Sequence, residues 1–162
     1  MWGRGHKVMI AGGSAAPSFE LPGLDGGKHS LSDFLQNGPV LLAFFKISCP
    51  VCQLTAPYLE RLSAGSGIQV IGISQDERGA TAGFNQRFGV KFRVLLDSPN
   101  EGYAASNAYG ITSVPSLFLV EPDGRVSKSF HGFCKRDFEE FGLRAGIVLF
   151  RPGENVPEWK AG

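Results

Sequence analysis

The 162-residue sequence predicts a three-layer α/β domain, a mixed sheet with helices on both faces. Three observations carry this expectation. Four short apolar runs, at 40–45, 70–73, 94–96 and 117–120, lack polar alternation, as strands buried on both faces do. Segments with helical spacing of apolar residues separate these runs. A fifth run at 126–130 follows Glu121-Pro122-Asp123-Gly124, whose residues suit a type I turn, so the last two strands form an antiparallel hairpin.

Between the strands, Val51, Leu54, Tyr58 and Leu62 make one helical stripe, halted by Gly65 and Gly67. Ala80, Phe84 and Phe88 repeat every four residues before Gly89, and 103–109 is a shorter helical candidate before Gly110. A last helix carries Phe138, Phe141, Ala145 and Val148. The core order is then βαβαβαββα, with helices for both faces. Pro, Gly and Ser are scattered rather than gathered into a linker, so a single domain at 16–150 is expected. An N-terminal extension, 1–15, precedes it, and a solvent-exposed tail, 151–162, follows.

Composition narrows the function classes. Sixteen Lys and Arg against 15 Asp and Glu leave a net charge of +1, no footprint for nucleic acid or anionic lipid. Hydrophobic residues at 43% and charged residues at 19% exclude compositional disorder. The longest apolar runs, about six residues, are too short for a transmembrane segment. Arg4, His6 and Lys7 precede only four apolar residues, Val8 to Ala11, short of a secretory core, so a cytoplasmic location is favoured.

Three cysteines are too few for a secreted disulfide scaffold, and their spacing says more than their number. Cys49-Pro50-Val51-Cys52 lies between the strand ending at Phe45 and the first long helix, at the carboxyl edge of the sheet where reaction sites gather. Pro50 suits the first helical position, which makes Cys49 the N-cap, its sulfur facing unpaired backbone N–H groups. Helix N-termini favour the thiolate, and only the thiolate attacks a disulfide. Placement thus nominates Cys49 as nucleophile and Cys52, one turn on, as the resolving thiol. Lys46 is a candidate modulator through its positive charge. Two other readings stand beside this one. The cysteines are inert packing residues, or they join His131 and Cys134 in a Cys3His zinc site of a non-enzymatic binding module. Gln53 occupies the position where haem attachment requires histidine.

Several separated motifs resemble the thioredoxin superfamily. Cys49-Pro-Val-Cys-Gln-Leu-Thr-Ala-Pro57 is similar to its active-site helix, including the proline five residues past the second cysteine. Tyr109-Gly-Ile-Thr-Ser-Val-Pro115-Ser-Leu-Phe-Leu-Val resembles the stretch whose proline is cis and whose loop abuts the CxxC. An opening similar to APxFxLxxxxG…SLxDF, at Ala16 to Phe34, and an inserted helix and strand at 77–97 narrow the resemblance to the TlpA-like and AhpC/TSA redoxins. The resemblance implies a thioredoxin fold with an N-terminal hairpin, and thiol-disulfide oxidoreductase activity without a dissociable cofactor. It also implies a cis Pro115 and a Val114 backbone that pairs with a substrate peptide. Expected partners are a disulfide- or dithiol-containing protein and a redox partner protein. The chain is expected to be a monomer, and an extracytoplasmic or periplasmic site is the alternative compartment.

Departures leave openings. Peroxide-reducing relatives carry a proline and a hydroxyl residue where this chain has Leu42 and Lys46, which disfavours the alternative of a peroxiredoxin-like antioxidant enzyme. The tryptophan common before the first cysteine is Ser48. The buried acid of thioredoxins is Ala43, and the glutamate of some TlpA-type proteins is Thr55. The proton acceptor for Cys52 is left to water, Lys46 or an acid that the fold brings near. Cys134 is read as a structural thiol, His6 and His29 as solvated, and the aromatics as core.

Overall fold

A computed structural model describes residues 8–162, so His6 and its neighbours lie outside the described residues. The central sheet has five strands: β3 (Val40–Phe45), β4 (Gln69–Ser74), β5 (Arg93–Leu96), β6 (Ser116–Val120) and β7 (Val126–His131), in the spatial order β5-β4-β3-β6-β7. β3, β4 and β5 run parallel, and β6 is antiparallel to both β3 and β7. Helix α2 (Pro50–Ser63) connects β3 to β4, and α3 (Arg78–Phe88) connects β4 to β5. Both crossovers step in one direction across the sheet, so right-handed connections place both helices on the same face. The return from β5 to β6 passes through a 3-10 turn and α4 (Ala104–Ala108) on the other face. A hairpin of β1 (Glu20–Pro22) and β2 (Lys28–Ser30) leads into α1 (Leu31–Leu35). Helix α5 (Lys135–Ala145) closes the α2 face. The expected order βαβαβαββα, with its hairpin and inserted helix and strand, is the order observed.

Every residue of β3 is buried, which explains its unbroken apolar run. Val40, Leu42 and Phe44 point to a cluster with Phe34, Tyr109 and Phe118, whereas Leu41 and Ala43 point to one with Leu59, Leu62, Phe133, Phe138 and Phe141. A smaller cluster of Phe45, Cys52, Ala56, Phe84, Val90 and Val94 sits under the carboxyl edge. The 121–124 turn closes through Gly124 N–H donating to the Glu121 carbonyl at 2.8 Å, with Gly124 at a positive φ of 85°.

Two expectations need correction. On α3, Thr81 rather than Ala80 faces inward, where its hydroxyl pairs with that of Ser74 at 2.7 Å. On α5 the stripe stops at Ala145, because Gly146 takes the left-handed conformation that ends the helix, and Val148 is exposed beyond it. The segment 151–162, read from the sequence as a solvent-exposed tail, lies against the domain. Its side chains are mostly exposed, yet its backbone returns to the domain. Arg61 holds Glu154 with two bonds of 2.7 Å, and β9 (Trp159–Lys160) pairs with β8 (Phe133–Cys134). Residues 10–16 are likewise stitched on, through Ile10 N–H to Tyr109, Gly13 N–H to Val126, and Ala16 N–H to Gly124.

Candidate active site

β3 ends at Phe45, and the next four residues form the turn into α2. That turn is pinned from both sides. Ile47 N–H donates to the Asp76 carboxylate at 2.8 Å, and the Gln53 amide donates to the Ile47 carbonyl at 3.0 Å. Cys49 is the N-cap of α2 and Pro50 opens it, as their sequence positions predict. The Cys49 sulfur accepts the Cys52 N–H at 3.2 Å, satisfying one of the amides that a helix start leaves unpaired. Its thiol also points at the Val114 carbonyl, 3.3 Å away. The loop that ends at β6 therefore touches the nucleophile candidate directly, and the Val114–Pro115 peptide is cis.

Cys49 is half-buried and opens on a cleft of about 660 Å³, whereas Cys52 is 3% exposed and packs among Phe45, Ala56, Phe84 and Val94. Both thiols are free. Burial is the main cause that pushes the Cys52 thiol far up from its ordinary range. A hydrogen bond with Cys49 and the negative charges of Cys49 and Asp76 push in the same direction. Such a group stays protonated while Cys49 is free.

Lys46, Gln75, Ser106, Ile111 and Val114 line the cleft beside Cys49. Its polar wall rests on a buried carboxylate. Asp97 accepts the Ser106 hydroxyl at 2.6 Å and the Ser106 N–H at 2.7 Å, and Ser106 in turn accepts from the Gln75 amide at 2.9 Å. Asp97 thereby fixes the start of α4 at the edge of the site. No spacing motif in the sequence announced it.

Of the residues singled out beforehand, Cys49, Cys52, Val114, Pro115 and Lys46 share one edge of the sheet. Pro50 is exposed, and Val51 packs against the α5 side. Leu42 and Ala43 are buried core residues of β3, and the Thr55 hydroxyl donates back to the Val51 carbonyl at 2.6 Å. His29, on the N-terminal hairpin, is half-buried rather than solvated, in a network with Asp25 of that hairpin and Arg93 of β5. Among the described residues, no three His, Cys, Asp or Glu converge as metal ligands, so His131 and Cys134 do not join the CxxC. Asp76 is the acid that sequence reasoning missed. It follows β4 rather than lying near the CxxC in sequence, and only the parallel β3–β4 register brings it to the turn.

The model of the AhpC/TSA family matches residues 13–129. The thiol-disulfide oxidoreductase ResA of Geobacillus thermodenitrificans is 31% identical over 140 residues, 83% of this chain and 78% of that protein. ResA of Bacillus subtilis is 30% identical over 152 residues, 91% of this chain and 80% of that protein. Among solved structures, a Chlorobium tepidum protein described as thiol:disulfide interchange protein DsbE superposes with a TM-score of 0.73. Its identity is 26%, with 88% of this chain and all of that chain covered. No helix among the described residues is long and apolar enough to cross a membrane.

Proposed function

The chain belongs to the AhpC/TSA family and is a thiol-disulfide oxidoreductase, and on that premise we propose that Cys49 and Cys52 are its redox pair. The observation that carries this reading is the contrast between a half-exposed sulfur at a helix N-cap and a buried one a turn later. In the reducing direction the Cys49 thiolate attacks one sulfur of a substrate disulfide. A Cys49–substrate bond forms, the substrate S–S bond breaks, and the other substrate sulfur leaves as a thiolate that takes a proton from solvent. Cys52 then loses its proton and attacks the Cys49 sulfur. A Cys49–Cys52 bond forms as the Cys49–substrate bond breaks, the Cys52 proton passes to solvent, and the second substrate sulfur leaves as a thiolate that takes up a proton, so that two electrons have passed from the dithiol to the two substrate thiols.

The surroundings of Cys52 order these steps. While Cys49 is free, burial, the Cys49 hydrogen bond and nearby negative charge hold Cys52 as a thiol. Once Cys49 is in a mixed disulfide, its charge and its acceptor role are lost, and deprotonation of Cys52 becomes easier. Resolution is thereby tied to capture. Val114 and Pro115 form the ledge on which a substrate strand aligns its disulfide with Cys49, and Lys46 contributes positive potential at the cleft. The substrates are disulfide-containing molecules. A dithiol redox partner protein restores the starting state, and a monomer suffices because one chain supplies the whole site.

The test is to offer reduced protein a small disulfide or hydrogen peroxide at equal concentration and to locate the product bond by mass analysis. A Cys49–Cys52 bridge formed preferentially with the disulfide supports the assignment. Oxidation confined to Cys134, or consumption of peroxide alone, overturns it.

A further inference from the structure

The end of the chain described lies on the ledge assigned above to the substrate. Gly162 lines the cleft beside Cys49 and Val114, and a Cβ at Gly162 would overlap the Val114 carbonyl oxygen. A Cβ at Gly132 would likewise overlap the Lys160 carbonyl, so the segment passes closely over the backbone linking β7 to β8. Gly132 N–H in turn donates to the Pro115 carbonyl at 2.8 Å. The strand pair β8–β9, the cis-proline loop and the Cys49 thiol are thus stacked against one another at a single edge.

This segment is held unevenly. At its root, Arg61 clamps Glu154 and the Leu149 carbonyl, and Phe150 and Val156 pack on the α2–α5 cluster. At its tip the only strand pairing among the described residues is the two-residue ladder of Phe133–Cys134 with Trp159–Lys160. One backbone bond, Lys135 N–H to Glu158, supports the tip, with an exposed Lys135–Glu158 ion pair at 3.6 Å. Trp159 is 57% exposed. Few buried apolar contacts and a short exposed ladder mark a segment that opens locally while the domain stays folded.

We propose that residues 159–162 are a detachable strap that sets substrate size: it covers the strand-addition ledge at Val114, so extended polypeptide disulfides must displace it, whereas small disulfides reach Cys49 through the cleft. The strap pairs with β8, and that pairing carries Gly162 onto the Val114 carbonyl, the group an incoming strand needs. This proposal rests on the assignment of Val114 and Cys49 as the substrate ledge and nucleophile.

Two experiments test it. In the first, Lys160→Pro and a chain ending at Glu158 are compared with the parent chain for reduction of a folded protein disulfide and of a small aromatic disulfide. The expected result is a five- to tenfold rise in kcat/KM for the protein substrate, mostly through KM, with the small disulfide within twofold. An unchanged or lower protein rate overturns the strap. Failure of the parent chain to reduce even the small disulfide overturns the exchange assignment instead. In the second, which leaves the strap sequence intact, Cys52→Ser is trapped at Cys49 with a cysteine-containing peptide or with a small thiol, and amide exchange is followed at 158–162. Faster exchange in the peptide adduct alone supports displacement, and equal exchange in both adducts overturns it.

Discussion

The mouth and the floor of the site hold the same side chain three residues apart in opposite surroundings. At the mouth, Cys49 caps a helix, accepts a backbone N–H and faces an open cleft. At the floor, Cys52 sits between α2 and α3 among Phe45, Phe84 and Val94, with no comparable access to solvent. The surroundings of the two thiols are thus divided by one helical turn, because the turn rotates the second sulfur from the edge of the sheet into the core. Chemical type alone does not distinguish the two sulfurs; exposure and backbone donors do.

Removing the mouth breaks this division most completely. Cys49→Ser is expected to lower exchange with any disulfide by roughly a thousandfold or more, since the hydroxyl that replaces the sulfur is not nucleophilic near neutral pH. Cys52→Ser keeps the first attack, and mass analysis should find the substrate joined to Cys49 instead of released. Capture of substrate by Cys52 in the Cys49→Ser protein would reverse the two roles.

The next effect is on stability rather than chemistry. Phe138 is fully buried against Phe133 and Phe141 beneath the α2–α5 face. Truncation in Phe138→Ala should cost about 3–5 kcal/mol in chemical denaturation. Because that cavity lies away from Cys49, small-disulfide reduction by the folded fraction should change little. A collapse of specific activity would show that the α2–α5 core and the mouth are coupled through α2.

Asp76→Asn sharpens the comparison at the floor. Asparagine retains an acceptor for Ile47 N–H but removes a negative charge that disfavours the Cys52 thiolate. The resolving step, followed by release from a preformed mixed disulfide, should shift its pH profile downward and run a few times faster near neutrality. Slower release at every pH would instead make Asp76 the group that accepts the Cys52 proton.

The smallest effect concerns the root of the strap. The Arg61 guanidinium holds the Glu154 carboxyl down at about 2 from its ordinary 4.5. A carboxyl depressed by folding contributes its stabilisation in full above about pH 4.5, and that contribution disappears as pH falls toward 2. Trp159 fluorescence should therefore report strap loosening in that window, and Glu154→Gln should already show the loosened signal at neutral pH. A flat profile between pH 6 and 2 would mean the apolar contacts of Phe150 and Val156 hold the root without the ion pair.

By itself the sequence determined the order of elements, the cap at Cys49 and the CxxC spacing of the candidate pair. These depend on contacts between near neighbours: apolar runs mark doubly covered strands, Pro50 starts a helix, and four residues build the 121–124 turn. The spacing errors are local too. Thr81 displaced Ala80 because an inward hydroxyl found Ser74, and Val148 fell off the α5 stripe because Gly146 ended the helix first. The long-range relations belong to the tertiary structure alone. Asp76 reaches the CxxC turn through the register of β3 with β4, 24 residues beyond Cys52 in sequence. Asp97 braces the cleft through α4, and 159–162 returns to Val114 across nearly fifty residues. No periodicity encodes such meetings, because they arise when separately formed elements are packed on a common sheet and their ends are brought to one edge.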